Sequence, residues 1–334
     1  MFEFEGIDLE RPGLQVGAVK ISAGEDSTHI PIVTIGMGDG PVLFINAGTH
    51  GDEYEGPIAL RNVLRDLDPK TISGRLIAIP NLNPPAARAI TRRSPVDDVD
   101  LNRAFPGKPD GSLSQRIASF VSEAVIPRCD AVVDLHAAGR DYQFEPHVML
   151  HVPEQLKSRA IFDETLAAAR AFGLSRVLVV EEPEDDDILN SEGMLDTLVE
   201  SLGKVFLCVE AGGAGTTLPQ TVAATERGIR NMLAHFDLIP DPAIAPQSPT
   251  TPSHIPPNGY QFAGTSGLLE VTCGLGECLA AGQRFARIHS LDGGSGGPHD
   301  CLATINGQFV ARRHPAFVEE GSLIGGIAKP FAID

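Results

Sequence analysis

Short apolar runs alternate with longer amphipathic stretches from about residue 28 to residue 239. The apolar runs are five or six residues long and rich in β-branched side chains, so they predict strands. They lie at residues 30–35, 42–47, 76–80, 131–135, 176–180 and 205–209. Between them, apolar positions recur at helical spacing, which predicts helices at residues 57–67, 113–126, 156–172, 193–202 and 218–236. Ser112 and Ser114 are suited to cap the second of these helices.

The predicted strands are almost continuously apolar, which is typical of strands that are buried on both faces. With helices between them, they predict an α/β fold with a mostly parallel mixed sheet and helices on both faces. We expect one domain over residues 1–239, with residues 1–27 as an N-terminal β segment. Ligands of such sheets bind beyond the carboxyl ends of the strands.

A different pattern follows a proline-rich stretch. Residues 240–258 contain seven prolines in nineteen positions, which predicts an extended, semi-rigid linker. Residues 259–334 then show a weak repeat with glycine at its turns, which predicts a small all-β domain. The repeat runs Gly267, Gly282, Ile288 and again Gly307, Gly321, Ile327.

This repeat resembles the barrel-sandwich hybrid of biotinyl and lipoyl carrier domains. A carrier needs a lysine at the hairpin tip between its two halves, and residues 291–300 contain none. We therefore expect this β-domain to serve as a lid or an oligomerisation surface.

Charge and composition narrow the classes of partner. The chain of 334 residues has a formal net charge of −18 and a pI of about 4.9. A surface this acidic repels nucleic acid and anionic membrane, and no apolar run approaches the roughly 18 residues of a membrane span. An acidic N-terminus and five scattered cysteines without CxxC spacing predict a cytoplasmic protein with reduced thiols. We expect neither nucleic acid nor membrane as a partner.

Polar side chains directly follow two of the predicted strands. His50 and Glu53 come after the strand at 42–47, and His136 follows the strand at 131–135 with Asp134 on the same side. A histidine and a glutamate at this spacing are common by chance, but acids crowded at the end of a buried strand favour a divalent cation. Two strand ends that each deliver a ligand suit an open zinc site, with three protein ligands and a fourth position for water.

A long loop and a glutamate complete the candidate site. Residues 81–107 are punctuated by proline and rich in arginine, and a loop of this length inside a compact domain is usually functional. Arginine can fork onto a carboxylate or a developing oxyanion. Glu210 follows the strand at 205–209 and precedes glycines, so it is a candidate general base. The alternatives are a surface loop with salt bridges and a structural glutamate at a turn.

Together and in this order, four motifs resemble the succinylglutamate desuccinylase/aspartoacylase family, relatives of the zinc carboxypeptidases. They span roughly residues 40–215 and are His50-Gly-Asp-Glu53, Asp100-Leu-Asn-Arg103, Asp134-Leu-His136 and Glu210-Ala-Gly-Gly213. The resemblance implies one zinc ion per chain, held by His50, Glu53 and His136. It also implies that Asp100 orients the first histidine, a role that fixes the tautomer of a ligand.

The resemblance assigns the remaining site residues to chemistry and to substrate. Glu210 matches the family's general base, and Arg92 would polarise the scissile carbonyl. Arg93 lies next to it, so the sequence leaves that assignment open between the two. Asn102 and Arg103 would hold a substrate carboxylate.

These roles imply that residues 1–239 form a zinc hydrolase catalytic domain. The enzyme would be an amidohydrolase that removes an N-acetyl or N-succinyl group from an N-acyl amino acid by metal-activated water. The segments flanking Asp100-Leu-Asn-Arg103 look closer to the bacterial branch that includes the N-acetyl-diaminobutyrate deacetylases. Two alternatives remain: a metallocarboxypeptidase acting on small peptides, and a non-catalytic binding protein on the same fold.

The acyl group and the amino acid stay open at this point. The acidic stretch 181–187 would favour a cationic substrate if it faces the pocket, although such a run is more often a solvated loop. The family's substrate-binding tyrosine has no clear counterpart among Tyr54, Tyr142 and Tyr260. An added β-domain would fit a homo-oligomer.

Overall fold

A computed structural model describes residues 2–36, 39–152, 155–156, 158–180, 193–240, 252–292 and 297–332. The acidic stretch 181–187 lies outside these ranges, as do residues 241–251 of the predicted linker. The α-helices in the described part are α1 (Glu55–Asp66), α2 (Pro84–Ala89), α3 (Leu113–Phe120), α4 (Arg159–Phe172), α5 (Leu195–Ser201) and α6 (Pro219–His235). None of these helices has the length and apolar character that a membrane span requires.

The strands fall into two groups along the chain. Those that precede residue 211 are β1 (Phe2–Glu5), β2 (Gln15–Ala23), β3 (Asp26–Gly36), β4 (Val42–Ala47), β5 (Arg75–Ile79), β6 (Ala131–His136), β7 (Tyr142–Phe144), β8 (His147–His151), β9 (Arg176–Val180) and β10 (Val205–Glu210). Those that follow α6 are β11 (Pro252–His254), β12 (Tyr260–Phe262), β13 (Gly267–Val271), β14 (Cys278–Leu279), β15 (Arg284–His289), β16 (His299–Leu302), β17 (Gly307–Arg313), β18 (Phe317–Val318) and β19 (Leu323–Pro330).

One large mixed sheet runs through the molecule, in the order β1-β2-β3-β5-β4-β6-β10-β8-β9-β11-β19-β17-β14. Its central strands β5, β4, β6 and β10 are parallel neighbours. The strands β1, β2, β3 and β5 pair antiparallel, and β8 pairs antiparallel with β10. The prediction of a mixed α/β fold with a large sheet is confirmed, and its parallel part includes the centre of the sheet.

Alternate residues of the central strands pack into two different cores. In β4, Leu43 and Ile45 join the core that contains α1, α4 and α6, whereas Phe44 joins the core that contains α3 and α5. In β6, Val133 and Val132 divide in the same way. Successive strand side chains point to opposite faces, so apolar residues at every position need helices on both faces of the sheet.

Every strand and helix predicted up to residue 239 is present, with differences at the ends. The largest difference is in the helix predicted at 113–126: α3 ends at Phe120, continues as a π-helical turn to Val125, and closes in a 3-10 turn. Pro127 explains the change, because proline lacks the N–H of an α-helix and its ring crowds the preceding turn. The pattern missed α2 and β7, which are short, and it also missed β8.

The segment after α6 consists mainly of strands. Some of these strands extend the large sheet, and the others form a second, smaller sheet. Strands β13, β15, β16 and β18 form a separate four-stranded sheet, around a core that includes Phe285 and Phe309. Strands β12, β14, β17 and β19 instead continue the large sheet through β11, which lies inside the predicted linker and pairs with β9 and β19. That residues 259–334 are a separate domain of the barrel-sandwich type stays a prediction.

Candidate active site

Three neighbouring strands deliver the central groups of the site. Strands β4, β6 and β10 are parallel, and their register pairs Asn46 with Asp134 and His136 with Glu210. Their carboxyl ends therefore lie at one edge of the sheet. His50 follows β4 after a short turn, while His136 and Glu210 are the last residues of their strands.

His50, Glu53 and His136 converge on one point. The Nδ1 atom of His50 lies 2.8 Å from Glu53 Oε1, and the Nδ1 atom of His136 lies 2.9 Å from Glu53 Oε2. One potential ligand atom from each residue lies within 4.8 Å of the others, and all three residues are buried. This donor set, two imidazole nitrogens and a carboxylate, is one of the sets that hold catalytic zinc.

Each histidine has a carboxylate on its other ring nitrogen. His50 Nε2 lies 3.1 Å from Asp100 Oδ1, and His136 Nε2 lies 2.9 Å from Asp134 Oδ2. Asn46 donates to the second oxygen of Asp134 at 2.7 Å, which fixes that carboxylate. Carboxylates in this position orient a ligating imidazole and raise its basicity. The sequence assigned no role to Asp134; its signal was the shared face of positions 134 and 136.

The charges around the two histidines favour a bound cation. Burial acts to lower the pKa of His50, but Glu53 and Asp100 outweigh it and raise the pKa. Burial likewise opposes a charge on His136, whereas Asp134 and Glu53 raise its pKa well above the usual value. Raised pKa values in buried imidazoles mark a site rich in negative charge. The residues present therefore fit a divalent metal ion.

The long loop that follows β5 brings Arg92 to this site. Gly51 allows the close approach, because a Cβ there would lie 2.0 Å from the carbonyl carbon of Ala86 in α2. Arg92 Nε donates to Asp100 Oδ2 at 2.9 Å, and its Nη1 lies 3.7 Å from Glu53 Oε1. Arg93 donates to the carbonyl oxygen of Asp98 instead. Of the two arginines, Arg92 is therefore the one beside the predicted metal ligands.

Asn102 and Arg103 lie on a 3-10 turn after Asp100. The backbone N–H of Asn102 donates to Asp100 Oδ1, and its side-chain oxygen accepts from the N–H of Leu195 at the start of α5. Arg103 is exposed and donates to the carbonyl oxygen of Asn102. The structure thus places both residues next to Asp100, with the Asn102 oxygen engaged in holding α5.

Glu210 lies beside the triad and lacks a partner for one of its oxygens. Its Oε2 atom is buried and has no hydrogen-bond partner among the described residues. Burial and then the negative charge of Glu53 raise the pKa of Glu210 to about 7. A carboxylate with a pKa near neutrality suits a general base that must accept and return a proton.

A buried glutamate that the sequence reasoning missed supports the turn after Glu210. Glu55, the first residue of α1, is 1% exposed, and its Oε1 accepts from the backbone N–H of Gly213 at 3.3 Å. Gly212 packs against the same carboxylate. The sequence showed Glu55 only as one acid in a crowded stretch, and nothing in it indicated a contact 158 residues along the chain.

A cavity of about 640 Å³ adjoins these groups. Its lining includes charged side chains and comes from the segment before α6 and from the segment after it. Among the described residues, the lining includes none of the three tyrosines, and neither Asn102 nor Arg103. Arg92 and Asp52 form its wall on the side of the triad. The lining residues are Asp52, Ile90, Thr91, Arg92, Arg140, Asp141, Ala214, Gly215, His314 and Pro315.

A family model matches this chain over residues 39–236, which include the whole candidate site. Its description is the catalytic domain of succinylglutamate desuccinylase/aspartoacylase. The chain belongs to this family. The resemblance inferred from the four motifs is thereby confirmed.

Two members of the succinylglutamate desuccinylase/aspartoacylase family are similar along their full lengths. The N-alpha-acetyl-L-2,4-diaminobutyric acid deacetylase of Halomonas elongata is 36% identical over 329 residues, 97% of this chain and 94% of the relative. A crystal structure of a succinylglutamate desuccinylase from Silicibacter sp. TM1040 has a TM-score of 0.90 at 33% identity, covering 99% of this chain and 98% of the other.

A third relative is the ectoine utilization protein EutE (DoeB) from Ruegeria pomeroyi, whose structure was solved with product bound. It has a TM-score of 0.89 at 32% identity and covers 98% of each chain. These likenesses establish a deacylase family with a shared fold.

Replacing Asp134 tests whether it orients a metal ligand. Asp134→Asn should weaken zinc affinity by about 10- to 100-fold, the usual cost of losing such a support. An asparagine would turn an NH₂ group toward either His136 or Asn46, both of which bond to the carboxylate. Zinc competition with a chromogenic chelator measures the change. The control is Asp130→Asn, one residue before the same strand, whose carboxylate accepts from Val42 N. Equal affinities in the two variants would contradict the role.

Replacing Gly212 tests whether Glu55 positions Glu210 by holding the turn that follows it. The backbone of Gly212 has φ +112°, and a Cβ there would lie 2.1 Å from Glu55 Oε1. Gly212→Ala should displace the turn and lower turnover by about 100-fold, as a misplacement of about 1 Å does, while zinc content stays normal. Gly282→Ala controls for strain, because Gly282 has φ +81° with nothing within 4 Å of a Cβ. Full turnover in Gly212→Ala would show that the turn does not position Glu210.

Proposed function

We propose that this chain is a zinc-dependent amidohydrolase that removes the acyl group from an N-acyl amino acid. The observation that carries the proposal is the convergence of His50, Glu53 and His136 beside Glu210, which has a buried oxygen without a partner. We propose that the first three residues hold one zinc ion per chain and that Glu210 is the general base. Membership of a deacylase family supports the reaction class.

The bound zinc would supply a water of lowered pKa, near 7, as the nucleophile. Glu210 would accept a proton from the water as it attacks the amide carbonyl, and would return the proton to the amine as the C–N bond breaks. The position of Glu210 favours this role, since it is the last residue of a buried strand and its register places it beside His136. Burial raises the pKa of Glu210 above that of a solvated carboxylate, which favours a group that both accepts and returns a proton.

Arg92 is the group that we assign to the developing oxyanion. Its side chain is 48% exposed, so it lies on the solvent side of the triad, and Asp100 holds its Nε at 2.9 Å. A preorganised cation of this kind contributes about 3–4 kcal/mol to transition-state binding. We assign Asn102 and Arg103 to the substrate carboxylate. Asp100 contacts both His50 and Arg92 and so fixes the position of each.

The substrate class follows from the relatives and from the size of the cavity. The Halomonas elongata relative is a deacetylase of an N-acetylated diamino acid, so we propose an N-acetyl amino acid in preference to an N-succinyl one. A cavity of about 640 Å³ accommodates a small molecule. His314 and Pro315 in its lining come after β17, so the C-terminal segment closes one side of the cavity, as a lid would.

The test pairs metal content with substrate. Protein purified without chelator should contain one zinc per chain and release free amine from N-acetyl amino acids. Chelator should abolish turnover, and added zinc should restore it. Elemental analysis and amine detection measure the two quantities. Zinc without turnover on any N-acyl amino acid would contradict the deacylase, and no zinc even after supply would contradict the metal site.

Replacing Glu210 tests the general base. Glu210→Gln should keep zinc but lose about 100- to 10,000-fold in kcat, the usual contribution of a general base. The amide is similar in shape and cannot accept the proton of the water. Glu270→Gln, on the four-stranded sheet away from the site, is the control and should keep its rate. A zinc-loaded Glu210→Gln variant with normal kcat would remove Glu210 from the mechanism.

A further inference from the structure

A buried acid in the cavity wall is not used by the reaction described above. Asp52 is 7% exposed and lines the cavity. Its Oδ2 accepts from the backbone N–H of Arg140 at 3.2 Å, whereas its Oδ1 is buried and has no hydrogen-bond partner among the described residues. Within the described part of the chain, no lysine or arginine side chain forms an ion pair with it. A buried carboxylate with one backbone bond is costly unless a further partner binds it.

The position of Asp52 relative to the triad is fixed on two sides. Asp52 is covalently next to Glu53, whose Oε2 accepts from the backbone N–H of Ala137 at 3.1 Å. The hydrogen bond from the backbone N–H of Arg140 to Asp52 is a second link between the segment that contains these acids and the segment after His136. Two neighbouring acids are thus held by the segment that follows His136. A ligand group on Asp52 would therefore lie at a constant distance from the reacting amide.

The two arginines in the cavity lining, Arg92 and Arg140, do not neutralise Asp52 with their side chains. Arg92 is bonded to Asp100, and Arg140 offers Asp52 only its backbone N–H while its exposed side chain lines the cavity. The carboxylate of an N-acyl amino acid is assigned above to Asn102 and Arg103, so it would not be the partner of Asp52. A neutral side chain on that amino acid would leave Asp52 without a partner, whereas a side-chain ammonium would supply one.

We propose that Asp52 binds the side-chain ammonium of the substrate and so selects mono-N-acylated diamino acids over N-acyl amino acids with uncharged side chains. This rests on the proposed function, since it assigns a specificity determinant to the same site. Asp52 then pairs with the ammonium, Asn102 and Arg103 hold the carboxylate, and the scissile amide lies at the triad beside Arg92. A charge-assisted hydrogen bond at a buried acid is stronger than one between neutral groups, so the pairing discriminates by charge.

The experiment compares two substrates that differ only in a side-chain amine. They are Nα-acetyl-L-2,4-diaminobutyrate, whose side-chain amine is free, and Nα-acetyl-L-2-aminobutyrate. The wild type should favour the diamino substrate in kcat/KM. Asp52→Asn, which keeps an oxygen for the Arg140 N–H, should lower the ratio of the two kcat/KM values by about 10- to 100-fold, the range expected for one bond to a charged group. Asp52→Ser serves as a second variant if the first fails to fold.

Asp141→Asn tests the rival acid, because Asp141 also lines the cavity but is exposed. A ratio that falls only in Asp141→Asn would overturn the assignment to Asp52. An unchanged ratio in Asp52→Asn, or equal losses on both substrates, would overturn it as well. Calorimetric binding of L-2,4-diaminobutyrate and L-2-aminobutyrate gives a readout that is independent of turnover, with Asp52→Asn expected to lose the preference for the diamine.

The two proposals fail in different ways in this experiment. If the wild type hydrolyses both substrates equally well, the deacylase stands and the role of Asp52 falls. If the zinc-loaded wild type hydrolyses neither these two substrates nor any other N-acyl amino acid, the deacylase falls. Equal binding of the two amino acids in the wild type would then overturn the role of Asp52 independently.

Discussion

Strands β4, β6 and β10 end at the same edge of the sheet because they are parallel neighbours, and the positions of His50, His136 and Glu210 follow from that edge. The register is held by burial on both faces: Leu43 and Phe44 in β4 pack into different cores, so a slip of one residue would exchange their surroundings. The hydrophobic pattern that forms the fold thereby also sets the separation between a candidate metal ligand and the candidate base.

The site concentrates more negative charge than its own cations balance. Four carboxylates lie around the two histidines and Arg92; they are Glu53, Asp100, Asp134 and Glu210. Desolvating this many charges costs several kcal/mol per ion unless a partner offsets it. A divalent cation bound by the two histidines and Glu53 would offset it, and it would leave Glu210 ionised more readily. Metal binding and the charge state of the base are therefore coupled through the same carboxylates.

The sequence predicted strands and helices well where the hydrophobic pattern is strong. It predicted them poorly where contacts between distant segments determine the secondary structure. Strand β4 was predicted at its observed bounds, because all its residues except Asn46 are apolar. Strand β8 was missed, although it lies between β10 and β9 in the sheet. Its short apolar run is flanked by His147 and His151, which are buried in the fold but read as polar in the sequence. Strand β11 was missed because Pro252 and the prolines around it predicted a linker, and only its pairing with β9 and β19 makes it a strand.

The site shows the same limit at the level of single side chains. Asp52, Glu53 and Glu55 stand together in the sequence as a cluster of acids, yet the backbone sends them in three directions. Glu53 meets the two histidines, Glu55 begins α1 and holds the turn after Glu210, and Asp52 faces the cavity. The change from strand to helix between residues 47 and 55 produces this divergence, since side-chain direction alternates in a strand and rotates in a helix. A count of acids therefore predicts that a cation binds here, whereas the backbone path decides which acid contacts it.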